Sequence, residues 1–385
     1  MHRVPLLSFH FLLILFLPQV YSFVHPGLLV TNSDIDRVKR KLAAKKEPWL
    51  SSWNKLTSIK YSSASYNPRA VSTVDRRTNG ALLWRDAAAA FNLALRWKIS
   101  GDAQYADASA RVLVAWANQL KSFGGADDKY LTAGLQGHQL ANAAELLRDY
   151  PPFARNGFAT VTRMLTTLVL PANIRFLNHG EPSEHNHRHF FANWELCNVA
   201  SAMAIGVLTD DKTSWDFAIN YFKNGTGNGA IGNAITNIVK EPGTGNLLGQ
   251  GQEAGRDQGH GALDYQLLGV IGQQAWNQGE DLFAYDNNRI LLGYVPKSRL
   301  YPKKHLTDID VYQRRILCPL QLRLRRPLRP IHQLYCQLLG HQPCRTGRRP
   351  TRLGTFVQPL RCHQTSSGSL DKDVPQPHAA VFQWI

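Results

Sequence analysis

Between Gly249 and His260 the chain reads GQGQEAGRDQGH, in which Gln250, Gln252, Glu253, Arg256, Asp257 and His260 are separated only by Gly and Ala. Side chains of these types do general acid–base work and neutralise developing charge. Read as one helix over 251–276, the stretch puts Glu253, Arg256, His260 and Asp264 at i, i+3, i+7 and i+11, on a single face flanked by Gln250 and Asp257. A solvated face laced with ion pairs is the ordinary meaning of mixed charge at this spacing. Against it stand Gly251, Gly255, Gly259 and Gly261, each costing about 1 kcal/mol relative to Ala in a helix. Glycines kept at that cost let another helix or a ligand come close to the backbone. The preferred reading is a ligand site.

A second cluster, SEHNHRHFFANWELCN, supplies His185, Asn186, His187, His189, Asn193, Trp194 and Glu195. On a helix, His189 and Asn193 share a face with Asn186 and Cys197, and Trp194 lies beside them. Imidazoles at i and i+4 can share a zinc ion, which makes a zinc-dependent hydrolase the alternative enzyme class. There is no HExxH, however, and the alternation His185, His187, His189 suits a strand better than a helix. An organic substrate site is preferred over both a metal site and structural histidines, and no cofactor or metal is expected.

The two clusters suit one reaction. A uronic acid polymer breaks by β-elimination when a base removes the C5 proton and an acid protonates the departing O4. The C5 proton is only weakly acidic while the neighbouring carboxylate is ionised, so that carboxylate must be neutralised by Arg, Asn, Gln, His or a protonated carboxyl group. Asn193, Gln252, Arg256 and His260 form such a set. Glu253 either hydrogen-bonds the substrate carboxylate or orients His260. Trp194, with Trp84 and Arg85 from an earlier segment, is suited to stack against or hold a sugar.

These groups need helices to position them. RDAAAAFNLALRWKISGD, QYADASARVLVAWANQLKSF, GHQLANAAELLRDY, FATVTRMLTTLVLPANIRFL, HRHFFANWELCNVASAMAIGVL and TSWDFAINYF carry apolar residues at three-to-four spacing between Gly, Asp, Asn or Pro breaks. No clear strand alternation is found. Helices joined by short loops form antiparallel hairpins, and repeated hairpins close into a ring. The expected fold is all-α, an (α/α) toroid, with an open helical solenoid as the runner-up.

The ends of the chain have a different grammar. Residues 1–22 carry Arg3, an apolar run from Phe9 to Leu17 and small side chains at Val20 and Ser22, the pattern of a secretory signal peptide. A secreted, extracellular protein is expected, with no membrane attachment after cleavage and with Asn224 in an N-glycosylation sequon. From Tyr312 to His363 there are eleven arginines, six prolines and no Asp, Glu, Lys, Ala or Asn, so this segment supplies +11 of the formal +16. Four of the five cysteines lie there too, leaving Cys197 alone in the main body. No amphipathic period runs through it. Residues 301–385 are read as an out-of-frame or mis-spliced tail, in preference to a disordered basic tail or a polyanion-binding arm, and no nucleic-acid partner is expected.

Taken together, HPGLLVTNSDIDRVK, WRDAAAAFNLALRWKISGD, KYLTAGLQGHQLANAAELLRDY, HFFANWELCNVASAMAIGVLTDD and GQGQEAGRDQGH resemble the alginate-lyase-domain superfamily, specifically its secreted branch that includes glucuronan lyases. The resemblance covers roughly His25 to Gly293. It implies an (α/α) toroid over about residues 23–300, no obligatory metal, and endo-type elimination on an anionic β-1,4-linked polyuronate. The matching residues are Asn193, His189, Glu253, Arg256 and His260, with Gln250, Gln252, Trp194, Trp84 and Arg85 as substrate-binding candidates. The family also uses a tyrosine from a later helix or loop, for which Tyr294 and Tyr301 are the nearby candidates, neither in a recognisable motif. Since the family pattern stops after Gly293, the ring is expected to be incomplete and the chain weakly active or inactive. A monomer is expected. A glycan-binding or inactive paralogue is the non-enzyme alternative.

Overall fold

The structure, a computed structural model, describes residues 22–179, 190–241 and 243–300, the side chains of 258 and 295–300 excepted. The signal-like segment, His185 to His189, Tyr301 and the arginine-rich stretch lie outside the described residues.

The chain begins with α1 (Asn32–Ala43), where Thr31 and Asp34 form a reciprocal capping box, and α2 (Trp49–Ser58). A short strand β1 (Thr73–Asp75) leads into α3 (Gly80–Ser100), which turns through Gly101 (φ 78°) and Asp102 into α4 (Ala103–Gln119). Gly101 takes the left-handed conformation that ends α3, and Asp102 caps α4 through the backbone N–H of Gln104. A two-residue link leaves the helices no choice but to run antiparallel. Then follow β2 (Ser122–Gly124), parallel to β1, and α5 (Asp128–Leu146).

Next come α6 (Pro151–Asn156), α7 (Phe158–Met164) and α8 (Leu170–Leu177). A π-helical segment, Leu165–Val169, joins α7 to α8. Pro171 has no N–H to offer the carbonyl four residues back, which accounts for the widened turn ahead of it. The second half comprises α9 (Ala192–Leu208), α10 (Lys212–Asn224), α11 (Ile231–Ala234), strands β3 (Ile235–Lys240) and β4 (Leu247–Gly251), α12 (Gln258–Asn277) and α13 (Tyr285–Leu300). Asp286, Asn287 and Asn288 have positive φ and kink the start of α13.

The expected all-α ring is what the chain forms. α3, α5, α9 and α12 each pack on the next as an inner layer, with α4 outside α3, and α8 and α10 outside α9. Every residue of α5 from Tyr130 to Leu146 is buried, as is every residue of α9 except Trp194. That explains why neither helix has a polar face to read: both are covered all round. The α5 and α9 backbones come close because Gly134 faces Cys197 and Gly137 faces Ser201, so an added Cβ at either glycine would collide with α9. Buried amides tie the layers, with Asn142 donating to Gln274 (3.0 Å), Gln274 to the Ala200 carbonyl (3.1 Å) and Asn173 to Asn198 (2.7 Å). The segment before α1 is fastened across the ring: His25 Nδ1 meets Glu145 at 2.7 Å, and Leu29 N–H donates to Asn142 at 3.0 Å.

Two expectations are corrected. Residues 251–276 are not one helix: β4 ends at Gly251, a turn follows, and α12 starts at Gln258 with Asp257 as its N-cap. The glycines mark a strand end and a turn, and an unpaired helical face never forms. The β3–β4 hairpin was also unforeseen, because Thr236 to Lys240 are all exposed and show no alternation of buried and exposed residues. Among the described residues, no helix is long and apolar enough to cross a membrane.

Candidate active site

The site forms where the first turn of α9 meets the turn between β4 and α12. Asn193 and Glu253 are each 1% exposed, and the Asn193 amide Nδ2 donates to Glu253 Oε1. Arg256 Nη1 donates to the other oxygen, Oε2, at 2.8 Å. A buried carboxylate without partners would be costly; here an amide and a guanidinium share it. Arg256 is itself 35% exposed, and its guanidinium lies 4.2 Å above the ring centre of Phe191. Its Nη2 has no hydrogen-bond partner among the described residues, which leaves one edge of the fork for a ligand.

His260 stands at the rim, in the first turn of α12. Asp257 accepts the His260 backbone N–H at 2.9 Å and contacts the imidazole Nδ1 at 2.5 Å. The backbone N–H and then the imidazole of His260 hold the Asp257 carboxyl below its usual range. Asp257, and not Glu253, orients His260. A carboxylate on Nδ1 fixes the ring and leaves Nε2 for proton transfer, the arrangement required of a general base.

The other sequence candidates are placed as follows. Gln252 Oε1 accepts the Ala192 N–H at 2.6 Å, satisfying an otherwise orphaned donor at the start of α9, so this side chain positions Asn193. Gln250 is exposed on β4 and accepts from Asn237 Nδ2 (3.0 Å) across the hairpin. Trp194 is half-buried and stacks on Phe190 at 4.6 Å, with Phe176 at 6.1 Å and Tyr130 beyond it, an aromatic strip beside Asn193. Trp84 lies on α3 with the Arg76 guanidinium 4.6 Å over its ring; Arg85, next to it, is half-buried. Asn224 is exposed at the end of α10, its Nδ2 donating to Asn220 Oδ1 at 3.0 Å. His189 and Tyr301 fall outside the described residues. The helix expected to join His189 to Asn193 begins only at Ala192.

Tyr294 is buried, and its hydroxyl donates to the Tyr265 carbonyl, a packing contact. Tyr265 was not singled out in the sequence: the Gly251 N–H, two residues before Glu253, donates to its hydroxyl. Burial, then the charge of Asp264, pushes this phenol up to about 12. Its position five residues after His260 on the same helix was a usable signal, hidden by the apolar residues that follow. Arg76 was missed as well. Among the described residues no group of three His, Cys, Asp or Glu side chains is placed to hold a metal ion, and the histidine triplet lies outside them.

The alginate lyase family model matches residues 33–293. Two tetrasaccharide complexes of alginate lyase A1-III, one with a tyrosine changed to phenylalanine and one with a histidine changed to alanine, share the fold. They superpose with TM-scores of 0.50 and 0.51 at 15% and 16% identity, covering 73% of this chain in each case and 80% and 79% of theirs. The crystal structure of the enzyme from Sphingomonas species A1 gives a TM-score of 0.47 at 15% identity, with 73% and 80% covered. No curated protein matches the chain. With the family model spanning well over half of its length, this chain belongs to the alginate lyase family.

Proposed function

We propose that the protein is a secreted polysaccharide lyase that cleaves a β-1,4-linked uronic acid polymer, of the glucuronan or alginate type, by β-elimination. The observation that carries this reading is the buried Glu253, which anchors Asn193 and Arg256 from two different elements while Arg256 keeps an exposed edge. A uronate carboxylate on that edge has its charge offset as C5 loses its proton, which stabilises the enolate-like transition state. His260 Nε2 takes the C5 proton, and Asp257 steadies the imidazolium. The C5–H electrons become the C4–C5 double bond, the C4–O4 bond breaks, and O4 leaves with a proton for which the imidazolium is the acid nearest to hand. Trp194 and its neighbours offer an apolar wall for the sugar. His189, outside the described residues, keeps the role its family resemblance implies.

Family membership supports the reaction class, and the apolar run Phe9–Leu17 with the exposed Asn224 sequon supports secretion. A panel of glucuronan, polymannuronate and polyguluronate tests the reading. The full chain should yield products with the ultraviolet absorbance of an unsaturated uronate and be indifferent to chelator. Saturated non-reducing ends whose formation stops with chelator would instead establish a zinc hydrolase.

A further inference from the structure

Among the described residues the Arg76 guanidinium forms no ion pair. Arg76 follows β1, and its guanidinium carbon sits 4.6 Å from the centre of the Trp84 ring, where Gly80, four residues earlier on α3, leaves space for the indole. Its Nη1 is buried and makes no hydrogen bond, and the adjacent indole Nε1 is buried and unbonded too. Nearby acids are already engaged. Asp128 pairs with Arg77 Nε at 2.5 Å, and Asp75 accepts the Arg77 backbone N–H at 2.8 Å. Burial draws the Arg76 guanidinium below its ordinary value, with Cys197 and Asp128 acting the other way. A desolvated, unpaired guanidinium is costly, and proteins keep one where an anion will meet it.

Its place in the fold says which anion. The neighbouring Arg77 holds Asp128 at the head of α5 at 2.5 Å, and two residues on the Tyr130 carbonyl accepts from Asn198 of α9 at 3.2 Å. Arg76 therefore stands at the end of the ring where the first turns of α9 carry Asn193 to Glu253. The cation–π contact with Trp84 restrains the guanidinium, whose fork suits a planar carboxylate. We propose that Arg76, seated on Trp84, is a second carboxylate-binding subsite that takes a uronate neighbouring the one held at Arg256. This subsite rests on the polyuronate reading and adds to it a requirement for at least two charged sugars in register. In this arrangement Trp84 is a support for Arg76, and the sugar platform is Trp194.

The test compares the full chain with Arg76→Ala, Arg76→Lys and, as a control, Arg77→Ala. Mannuronate and glucuronate tetrasaccharides and their carboxyl-reduced, uncharged counterparts serve as probes, with calorimetric Kd and steady-state kinetics as readouts. Arg76→Ala should raise Kd and KM for the acidic tetrasaccharide it uses by about tenfold or more, with kcat nearly unchanged. Arg76→Lys should recover part of the loss, Arg77→Ala should be close to wild type, and the uncharged probes should bind wild type and Arg76→Ala alike. Equal Kd for wild type and Arg76→Ala on the acidic probe overturns the subsite, as does equal weakening for acidic and uncharged probes, the mark of a merely structural arginine. If the wild type binds the acidic tetrasaccharide but forms no unsaturated product from any polyuronate, the lyase reading falls while the Kd comparison still decides Arg76. No binding of any acidic probe by the wild type overturns both.

Discussion

Two carboxylates flank the first turn of α9, both buried, and they are satisfied in opposite ways. Glu195, 2% exposed, accepts from the Tyr221 hydroxyl at 2.9 Å and the Gly229 N–H at 2.6 Å, while Gly227 and Gly229 press against it so closely that no side chain would fit at either. Burial raises its pKa against these neutral donors. Glu253 is as deep, but one of its donors is an arginine that remains partly open to solvent. A carboxylate ringed by neutral protein donors locks a loop. One that anchors a half-exposed cation holds a charge where a ligand can reach it.

The largest effect that could break this distinction is at Arg256. Arg256→Ala should cut kcat/KM on a polyuronate by roughly 10²–10³-fold, the size expected for removing a preorganised charge from the transition state. Loss of activity without loss of fold, read by circular dichroism, places the effect in chemistry; Arg256→Lys, which keeps Glu253 paired, guards against unfolding of the alanine variant. His260→Ala should cost about 10²-fold in rate. Because His260 is exposed at 43%, its melting temperature should hardly move.

Glu195→Ala sharpens the contrast from the other side. It leaves the Tyr221 hydroxyl and the Gly229 N–H without their acceptor and should lower stability by about 1–3 kcal/mol in denaturant titration. Activity per folded molecule should be retained. If Glu195→Ala abolished turnover at unchanged stability, the loop-locking role would be wrong.

The smallest effect concerns a third buried carboxylate, Glu145, which holds His25 of the segment before α1. Burial lowers the pKa of His25, but hydrogen bonding and charge from Glu145, then the bond to Asp210, outweigh it, and the folded value lies above 6.5. The stability this contributes is complete below pH 6.5 and is lost as pH rises through the raised folded value. The melting temperature should therefore decline modestly over that window, and His25→Gln should remove the decline.

Much of the helical framework was legible because Ala- and Leu-rich runs with Gly, Asp and Pro breaks dictate helices, as for α3 and α9 of the inner layer and α4 and α10 outside them. The chemistry-bearing stretch was legible in composition but not in shape. Asp257 as an N-cap and the glycines as a strand end and turn gave the same residue types that an amphipathic helix would have given, and the exposed β3 offered no period to betray the hairpin. Gln252 was read as a ligand contact, yet its amide oxygen is spent on the Ala192 N–H, a contact across sixty positions that no local pattern encodes. Arg76 escaped for a similar reason: its isolation is defined by Arg77 having taken Asp128, which only the fold brings near.

The central claim is that the Asn193–Glu253–Arg256 cluster with His260 performs an elimination on a polyuronate, and the nature of the cleaved end tests it most directly. The full chain and Arg256→Ala would each be incubated with the polyuronate panel, and the new non-reducing ends analysed by mass spectrometry and ultraviolet absorbance. The account predicts unsaturated ends, a mass short of hydrolysis by one water, from wild type and almost none from Arg256→Ala. Saturated ends from wild type, or unsaturated ends formed equally by Arg256→Ala, would contradict it.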